Sequence, residues 1–125
     1  MKQPFALIIE DDPKLATIFA TALESAEFKT EIAADGQTAL ERLGATTPSV
    51  VVLDLHLPHI SGRNLLYKIR ADERLTDTQV MIATADPSMA EGLRDEADLV
   101  LIKPISFGQL RDLAARLRPP DTLDL

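Results

Sequence analysis

The chain has 125 residues, of which 46% are hydrophobic and 26% charged, and it contains no cysteine. This length and balance are ordinary for one soluble globular domain, and the lack of cysteine excludes a disulfide framework and a thiolate metal site. The net charge of −7 disfavours direct binding to nucleic acid or to an anionic membrane, because both would repel the protein at long range. No apolar stretch is long enough to span a bilayer and the N-terminus lacks the apolar core of a signal peptide, so we expect a cytoplasmic protein.

Short apolar runs alternate with amphipathic segments along the chain. Three of the runs are continuously apolar, which is typical of strands in a parallel sheet that is covered by helices on both faces. The order βαβαβαβαβα predicts one α/β domain over residues 1–118, with a doubly wound, five-stranded parallel sheet. The five predicted strands are Phe5–Ile9, Phe28–Ala33, Val50–Leu53, Gln79–Ala83 and Leu99–Ile102.

Capping residues mark the starts of the predicted helices. Asp12 followed by Pro13, then Asp35, and then Ser61 each precede an amphipathic segment. Two consecutive prolines end the last helix, so residues 119–125 are expected to form a C-terminal tail. In the first and last helices the apolar residues at helical spacing are predicted to face the core, and they are Leu15, Ile18, Phe19, Ala22, Leu23, Phe107, Leu110, Ala114 and Leu117.

The interval between the fourth and fifth strands is short. Only 19 positions separate Thr84 from Lys103. After about five residues of strand, roughly fourteen remain for two loops and a helix. Pro87 and Gly92 weaken that helix further, so we expect the fourth helix to be short.

Polar residues follow four of the predicted strands. Glu10 and Asp11 come after the first strand, Asp54 after the third, Thr84 after the fourth and Lys103 after the fifth. In an open parallel sheet, ligands bind outside the carboxyl ends of the strands at the topological switch point, so we expect these side chains to share one crevice. A carboxylate at the end of a buried strand, as predicted for Asp54, needs a cation or hydrogen-bond donors.

Electrostatics predicts what such a crevice would hold. Two carboxylates about 4 Å apart repel by roughly 4 kcal/mol at an effective dielectric constant near 20, so clustered acids need a cation or a proton. Oxygen ligands without a thiolate favour a hard divalent ion, and Mg²⁺ is the one that binds through one or two carboxylates plus a phosphate oxygen. The acidic first loop also argues against a flavin-phosphate site, which would need backbone N–H groups and hydroxyls there.

Four motifs together identify a family. They are Ile8–Asp12, Val51–Pro58 with Gly62 just beyond, Ile82–Ala85 and Leu101–Pro104. With these motifs the chain resembles the receiver domain of two-component response regulators over nearly its whole length. The resemblance implies a flavodoxin-like (βα)5 fold with strand order 2-1-3-4-5.

The resemblance also implies a role for each acid in the site. Asp54 would be the phosphoacceptor, and Glu10 with Asp11 would be the acid pair that holds Mg²⁺ together with Asp54. The backbone carbonyl of His56 would be a further ligand. The side chains of His56 and His59 are expected to be solvated rather than to bind metal, as isolated loop histidines usually are.

The remaining two site residues would act on the phosphoryl group itself. Thr84 and Lys103 would contact phosphoryl oxygens, and the bond between Lys103 and Pro104 would be cis. The phosphodonor would be a sensor histidine kinase or a histidine phosphotransfer protein, and the target would be an unidentified downstream protein. By this resemblance the chain is a signalling module that promotes its own phosphorylation and dephosphorylation, not an enzyme acting on an external substrate.

Two other classes of protein remain as alternatives. A phosphatase of the haloacid-dehalogenase type would need a second acid two positions after Asp54, where this chain has His56. An interaction module of receiver fold that works without phosphorylation usually lacks one or more of the site residues, and here all five are present. One departure from the family concerns output, because Val100 stands where many receivers have a tyrosine or phenylalanine that turns inward with Thr84.

Overall fold

The computed structural model describes residues 3–119, and within them the chain forms five strands and four α-helices. In chain order these are β1 (Phe5–Ile9), α1 (Pro13–Ser25), β2 (Lys29–Ala33), α2 (Gly36–Ala45), β3 (Val50–Asp54), α3 (Gly62–Ala71), β4 (Gln79–Thr84), β5 (Leu99–Ile102) and α4 (Phe107–Leu117). Two short 3-10 segments flank β4: Glu73–Leu75 before it and Pro87–Ala90, here called the 87–90 turn, after it.

The five strands form one parallel sheet in the order β2-β1-β3-β4-β5, which confirms the predicted fold class and strand order. The predicted strand ends agree with the observed ones to within one residue. Because β1 pairs with β2 on one side and β3 on the other, the chain reverses its winding direction at β1. The crevice outside the carboxyl ends of β1 and β3 is therefore the place where this fold can bind a ligand.

The central strands are buried on both faces, which explains why their sequences are continuously apolar. In β1, Leu7 and Ile9 belong to the core cluster beneath α2 and α3, while Ala6 and Ile8 belong to the cluster beneath α1 and α4. Each helix begins after a side chain that accepts a backbone N–H from its first turn. The caps at Asp12, Asp35 and Ser61 were predicted, and Ser106 caps α4 in the same way.

Two residues predicted to face the core are instead exposed. Ile18 of α1 is 43% exposed, because Phe19, Ala22 and Leu23 already fill the contact with the sheet and a neighbour one residue away points about 100° around the helix. Phe107 is 37% exposed at the first position of α4, with the Arg111 guanidinium 5.9 Å from its ring centre. The prediction of core positions was therefore wrong for these two side chains.

The prediction of a short fourth helix was also wrong, because residues 85–98 contain no α-helix. They form the 87–90 turn followed by further turns that lead into β5. The interval is too short for two loops and a helix, and Gly92 leaves helical geometry with a φ of +79°. Ala90 and Leu93 are nevertheless fully buried, so the segment packs on the core by these two side chains.

The Arg70 side chain of α3 binds the C-terminal end of this helix-free segment. Its guanidinium donates to the carbonyl oxygens of Glu96 at 2.7 Å and Thr78 at 2.8 Å, and to the Asp98 carboxylate at 3.0 Å. The same carboxylate oxygen accepts the Val80 N–H at 2.7 Å. Arg70 thus joins α3 to the start of β4 and to the residues just before β5.

Arg70→Ala should lower the free energy of unfolding by about 2 kcal/mol, because it removes the guanidinium that donates to two carbonyl oxygens and pairs with the Asp98 carboxylate. Urea denaturation would measure the loss. Arg63→Ala is the matched control on the same helix, since Arg63 makes only a 3.5 Å exposed contact to the Glu91 carbonyl. It should cost less than about 0.5 kcal/mol. Equal losses in both variants would contradict this role of Arg70.

The last helix ends close to the C-terminal limit of the described residues. Helix α4 stops at Leu117, one residue before the predicted domain limit at 118. Of the predicted tail at 119–125, the part from 120 onward lies outside the described residues. None of the helices within 3–119 combines the length and the apolar content needed to cross a bilayer.

Candidate functional site

All the predicted site residues meet in one cleft at the carboxyl ends of the strands. The cleft has a volume of about 490 Å³ and is lined by residues from four strand ends and from the start of α1. The fold thus brings together groups that lie up to 93 positions apart in the chain. The lining comprises Glu10, Asp11, Asp12, Leu15, Asp54, His56, Thr84, Ala85, Asp86, Met89 and Lys103.

Three carboxylates converge within the cleft. Glu10, Asp11 and Asp54 each offer an oxygen atom, and these atoms all lie within 4.8 Å of one another. Glu10 is only 1% exposed and Asp54 only 5%, whereas Asp11 is exposed. Because two of the acids are removed from water, their mutual repulsion is weakly screened and a bound cation would be strongly favoured.

Lys103 supplies one positive charge to this acidic group. Its ammonium lies 2.7 Å from Glu10 Oε1 and 3.7 Å from Asp54 Oδ2, so it pairs more closely with Glu10. Burial, together with the nearby Asp54 carboxylate, raises the pKa of Glu10, and the hydrogen bond from Lys103 opposes that rise. With all three acids ionised, three negative charges and one positive charge leave a net charge of −2, which suits a divalent cation.

Backbone hydrogen bonds orient the two buried acids. Glu10 Oε2 accepts the Asp12 N–H at 3.1 Å, and Asp54 Oδ1 accepts the His56 N–H at 3.0 Å. Both bonds close tight loops directly after a strand. Each carboxylate therefore keeps a second oxygen that can reach another group in the cleft.

The Thr84 hydroxyl is occupied within its own loop. Thr84 Oγ1 accepts the Asp86 N–H at 3.1 Å and lies 3.3 Å from the Asp86 carbonyl oxygen, to which it donates. Asp86 in turn accepts from the side chain and the backbone N–H of Ser88, and these bonds lower the pKa of Asp86. Thr84 as a whole is only 1% exposed. Its hydroxyl can donate to a ligand in the cleft only if it gives up its hydrogen bond to the Asp86 carbonyl.

The residues present fit a metal ion. Oxygen is the only donor element in the cluster, and two buried acids with one exposed acid leave room for water or a phosphate oxygen among the ligands. The side chains of His56 and His59 are exposed and do not belong to this group. The acidic cluster is thus suited to a hard cation held by oxygen atoms.

Two apolar side chains in the lining were not predicted as part of the site. Leu15 enters it from α1 and Met89 from the 87–90 turn. Neither carries a group whose chemistry signals a site, and Met89 lies in a segment that the sequence predicts as helix. Only the observed path of that segment reveals that Met89 reaches the cleft.

Comparisons with known proteins agree with this geometry. The sequence matches the family model of the response regulator receiver domain over residues 6–115. A solved structure of the Francisella response regulator 1452 receiver domain is 32% identical, with a TM-score of 0.78, and covers 91% of this chain and 95% of that one.

Curated relatives include whole regulators and a kinase. The transcriptional regulatory protein TrcR of Mycobacterium tuberculosis is 35% identical over 115 residues, which are 90% of this chain and 43% of that protein. The sensor histidine kinase TmoS of Ectopseudomonas mendocina is 30% identical over 92% of this chain and 12% of its own length. The chain thus spans less than half of these relatives. With the matching sheet order and the acidic cleft, these findings show that the chain belongs to the response regulator receiver domain family of two-component systems.

Proposed function

We propose that Asp54 accepts a phosphoryl group from the phosphohistidine of a sensor histidine kinase or a histidine phosphotransfer protein. The observation that carries this proposal is the placement of Asp54. It is a nearly buried carboxylate at the end of a central strand, grouped with Glu10 and Asp11 and 3.7 Å from the Lys103 ammonium. Such a group is a nucleophile surrounded by charges that can hold a phosphoryl donor in position.

The proposed step forms one bond and breaks one bond. A carboxylate oxygen of Asp54 attacks phosphorus, and the bond between phosphorus and the donor histidine nitrogen breaks, so that the imidazole leaves and is protonated. Lys103 offsets the negative charge of the phosphoryl oxygens, and Thr84 donates a hydrogen bond to one of them. Unlike a serine hydroxyl, a carboxylate nucleophile such as that of Asp54 needs no general base.

The metal that the acidic cluster suits best is Mg²⁺. The carboxylates of Glu10, Asp11 and Asp54 and the backbone carbonyl of His56 would hold it. When bound, Mg²⁺ neutralises charge on the phosphoryl oxygens. The chain's own contribution is the orientation of the two buried acids by the N–H groups of Asp12 and His56.

The signal would be read from a change in the loop after β4. Hydrogen bonding to a phosphoryl oxygen would take the Thr84 hydroxyl from the Asp86 carbonyl, which releases one restraint on the 87–90 turn. A downstream protein would recognise the altered surface. With Val100 in place of an aromatic residue, any such change has to travel through the loop and its backbone. We also propose that the domain extends over residues 1–118 and acts in the cytoplasm.

Mass spectrometry after incubation with Mg²⁺ and acetyl phosphate tests this function. The expected result is a gain of one phosphoryl group per chain, mapped to Asp54 by borohydride reduction and peptide sequencing, and no gain when Mg²⁺ is chelated before acetyl phosphate is added. A label on another residue, or a label that still forms after the metal is chelated, would refute the proposal. Rapid multiple turnover of a small phosphate ester without donor preference would favour the phosphatase alternative.

Mg²⁺ should stabilise the protein, and Asp11→Ala should lose most of that effect. A ligand that binds only the native state stabilises it by mass action, by about 2.7 kcal/mol at a hundred-fold excess over its dissociation constant. Without metal, Asp11→Ala should melt at the same or a higher temperature than the wild type, because the substitution removes one of three clustered negative charges. Thermal melts with and without Mg²⁺ measure both effects.

Asp12→Asn is the matched control for Asp11→Ala. Asp12 also lines the cleft, but its side chain caps α1 by accepting the N–H groups of Lys14 and Leu15, and asparagine caps equally well. This variant should keep the full Mg²⁺-induced rise in melting temperature. An equal rise in Asp11→Ala and the wild type would rule out Asp11 as a principal ligand.

A further inference from the structure

The cleft around Asp54 is lined mostly by polar side chains, but a few of its lining residues are apolar. Its lining includes two large apolar side chains, Leu15 from α1 and Met89 from the turn. These come from different elements and have no role in the phosphoryl transfer described above. Their presence among six acidic and basic lining residues calls for a physical reason, since an apolar side chain neither binds a cation nor donates to a phosphoryl oxygen.

The position of Met89 is determined by its neighbours. The turn is capped by Asp86, whose carbonyl accepts the Met89 N–H at 3.1 Å. The buried side chains of Ala90 and Leu93 anchor the next residues to the core. Met89 itself is half-buried, because it packs against the edge of the core cluster beneath α2 and α3 while also lining the cleft. It is therefore held between the core and the site.

Met89 lies within the helix-free connection between β4 and β5. The chain makes one 3-10 turn there before Gly92 changes its direction. Met89 therefore lines the cleft from a turn, in a segment where the sequence predicts a helix.

An acyl phosphate on Asp54 is lost by reaction with water. A water oxygen forms a bond to phosphorus, the bond between phosphorus and the Asp54 carboxylate oxygen breaks, and inorganic phosphate leaves with the proton of the water. The carboxylate is regenerated unchanged. The rate depends on whether a water molecule can reach the phosphoryl group and be oriented there by a hydrogen-bonding partner.

We propose that Met89 is a positioning residue that restricts the access of water to a phosphoryl group on Asp54 and so prolongs its lifetime. This inference rests on the function proposed above. Methionine suits the task because its long, unbranched side chain fills irregular space and offers attacking water only a weak acceptor. Leu15, which packs against the cluster beneath α1 and α4, is the other large apolar residue of the lining.

The test compares release of inorganic phosphate from three Met89 variants and the wild type, after phosphorylation with acetyl phosphate and removal of the donor. Met89→Gln keeps the length of the side chain but adds an amide that can orient water, and Met89→Ala opens the space. Each should speed hydrolysis by about five-fold, which corresponds to roughly 1 kcal/mol of activation free energy. Met89→Leu keeps an apolar side chain of similar volume and should restore the wild-type rate to within about two-fold.

Two further measurements separate shielding from a general loss of structure. The Mg²⁺ affinity, measured by calorimetry, should be the same in all four proteins. The melting temperatures of Met89→Gln and Met89→Leu should be similar, so that a difference in stability does not explain the faster hydrolysis in Met89→Gln. Wild-type rates in both Met89→Gln and Met89→Ala, or a Met89→Leu variant as fast as they are, would overturn the inference. A wild-type chain that takes no label at Asp54 would instead overturn the proposed function, and this inference with it.

Discussion

Asp54→Asn should abolish the Mg²⁺-dependent gain of a phosphoryl group. Asparagine has nearly the same shape, and its oxygen can still accept the His56 N–H that lies 3.0 Å from Asp54 Oδ1, so the loop geometry is kept. The amide oxygen, however, carries no full negative charge and is a poor nucleophile. Removal of the nucleophile from a covalent step lowers the rate by on the order of 10⁴-fold or more, which puts the label below detection.

The matched control for this variant is again Asp12→Asn, which makes the same chemical change in the same cleft. Its capping of α1 is preserved, and its carboxylate is not part of the group formed by Glu10, Asp11 and Asp54. It should be labelled at the wild-type rate, as measured by intact-protein mass spectrometry over time. Labelling of Asp54→Asn at the wild-type level would show that another residue is the phosphoacceptor.

Asp54→Asn also separates function from folding. The substitution removes one of three clustered negative charges, so the metal-free protein should melt at the same or a higher temperature. A variant that is both unlabelled and strongly destabilised would not fit this account, because the loss of label would then have a structural cause.

Gly62→Ala should destabilise the protein by about 3 kcal/mol, near the upper end of what one added carbon costs in a packed interior. A Cβ at this position would collide with the Asp54 carbonyl oxygen and with the Leu55 Cα, and both are backbone atoms that cannot turn aside. The Gly62 N–H also donates to the Leu55 carbonyl at 3.2 Å, which keeps the two segments in contact. Urea denaturation measures the loss of free energy.

The same substitution should reduce phosphorylation, because the clash acts on the backbone of the residue that accepts the phosphoryl group. Gly44→Ala is the matched control. Gly44 lies in α2, and a Cβ there would meet nothing within 4 Å apart from its chain neighbours and the backbone of its own helix. Alanine is the better helix former, so this variant should gain about 0.5–1 kcal/mol. A Gly62→Ala variant as stable as the wild type would contradict the close approach of α3 to the end of β3.

Much of the fold could be predicted because local patterns and tertiary packing agree. The apolar runs of β1, β3 and β4 have no polar face, which only a sheet covered on both sides can accommodate. The caps at Asp12, Asp35 and Ser61 act within three residues of themselves, so their geometry is independent of the rest of the chain. The exposure of Ile18, in contrast, depends on which face of α1 packs against the sheet, and this is decided by tertiary contacts.

The candidate site, too, could be predicted from the sequence only in part. That Glu10, Asp54 and Lys103 meet is determined by the sequence, because parallel strands bring their carboxyl ends to one rim whatever their separation along the chain. Only the tertiary structure decided that Lys103 pairs more closely with Glu10 than with Asp54, since ångström differences between competing acids depend on side-chain packing. It also decided that Met89 lines the cleft, because the 87–90 turn takes its path from contacts with the core and not from local helical preference.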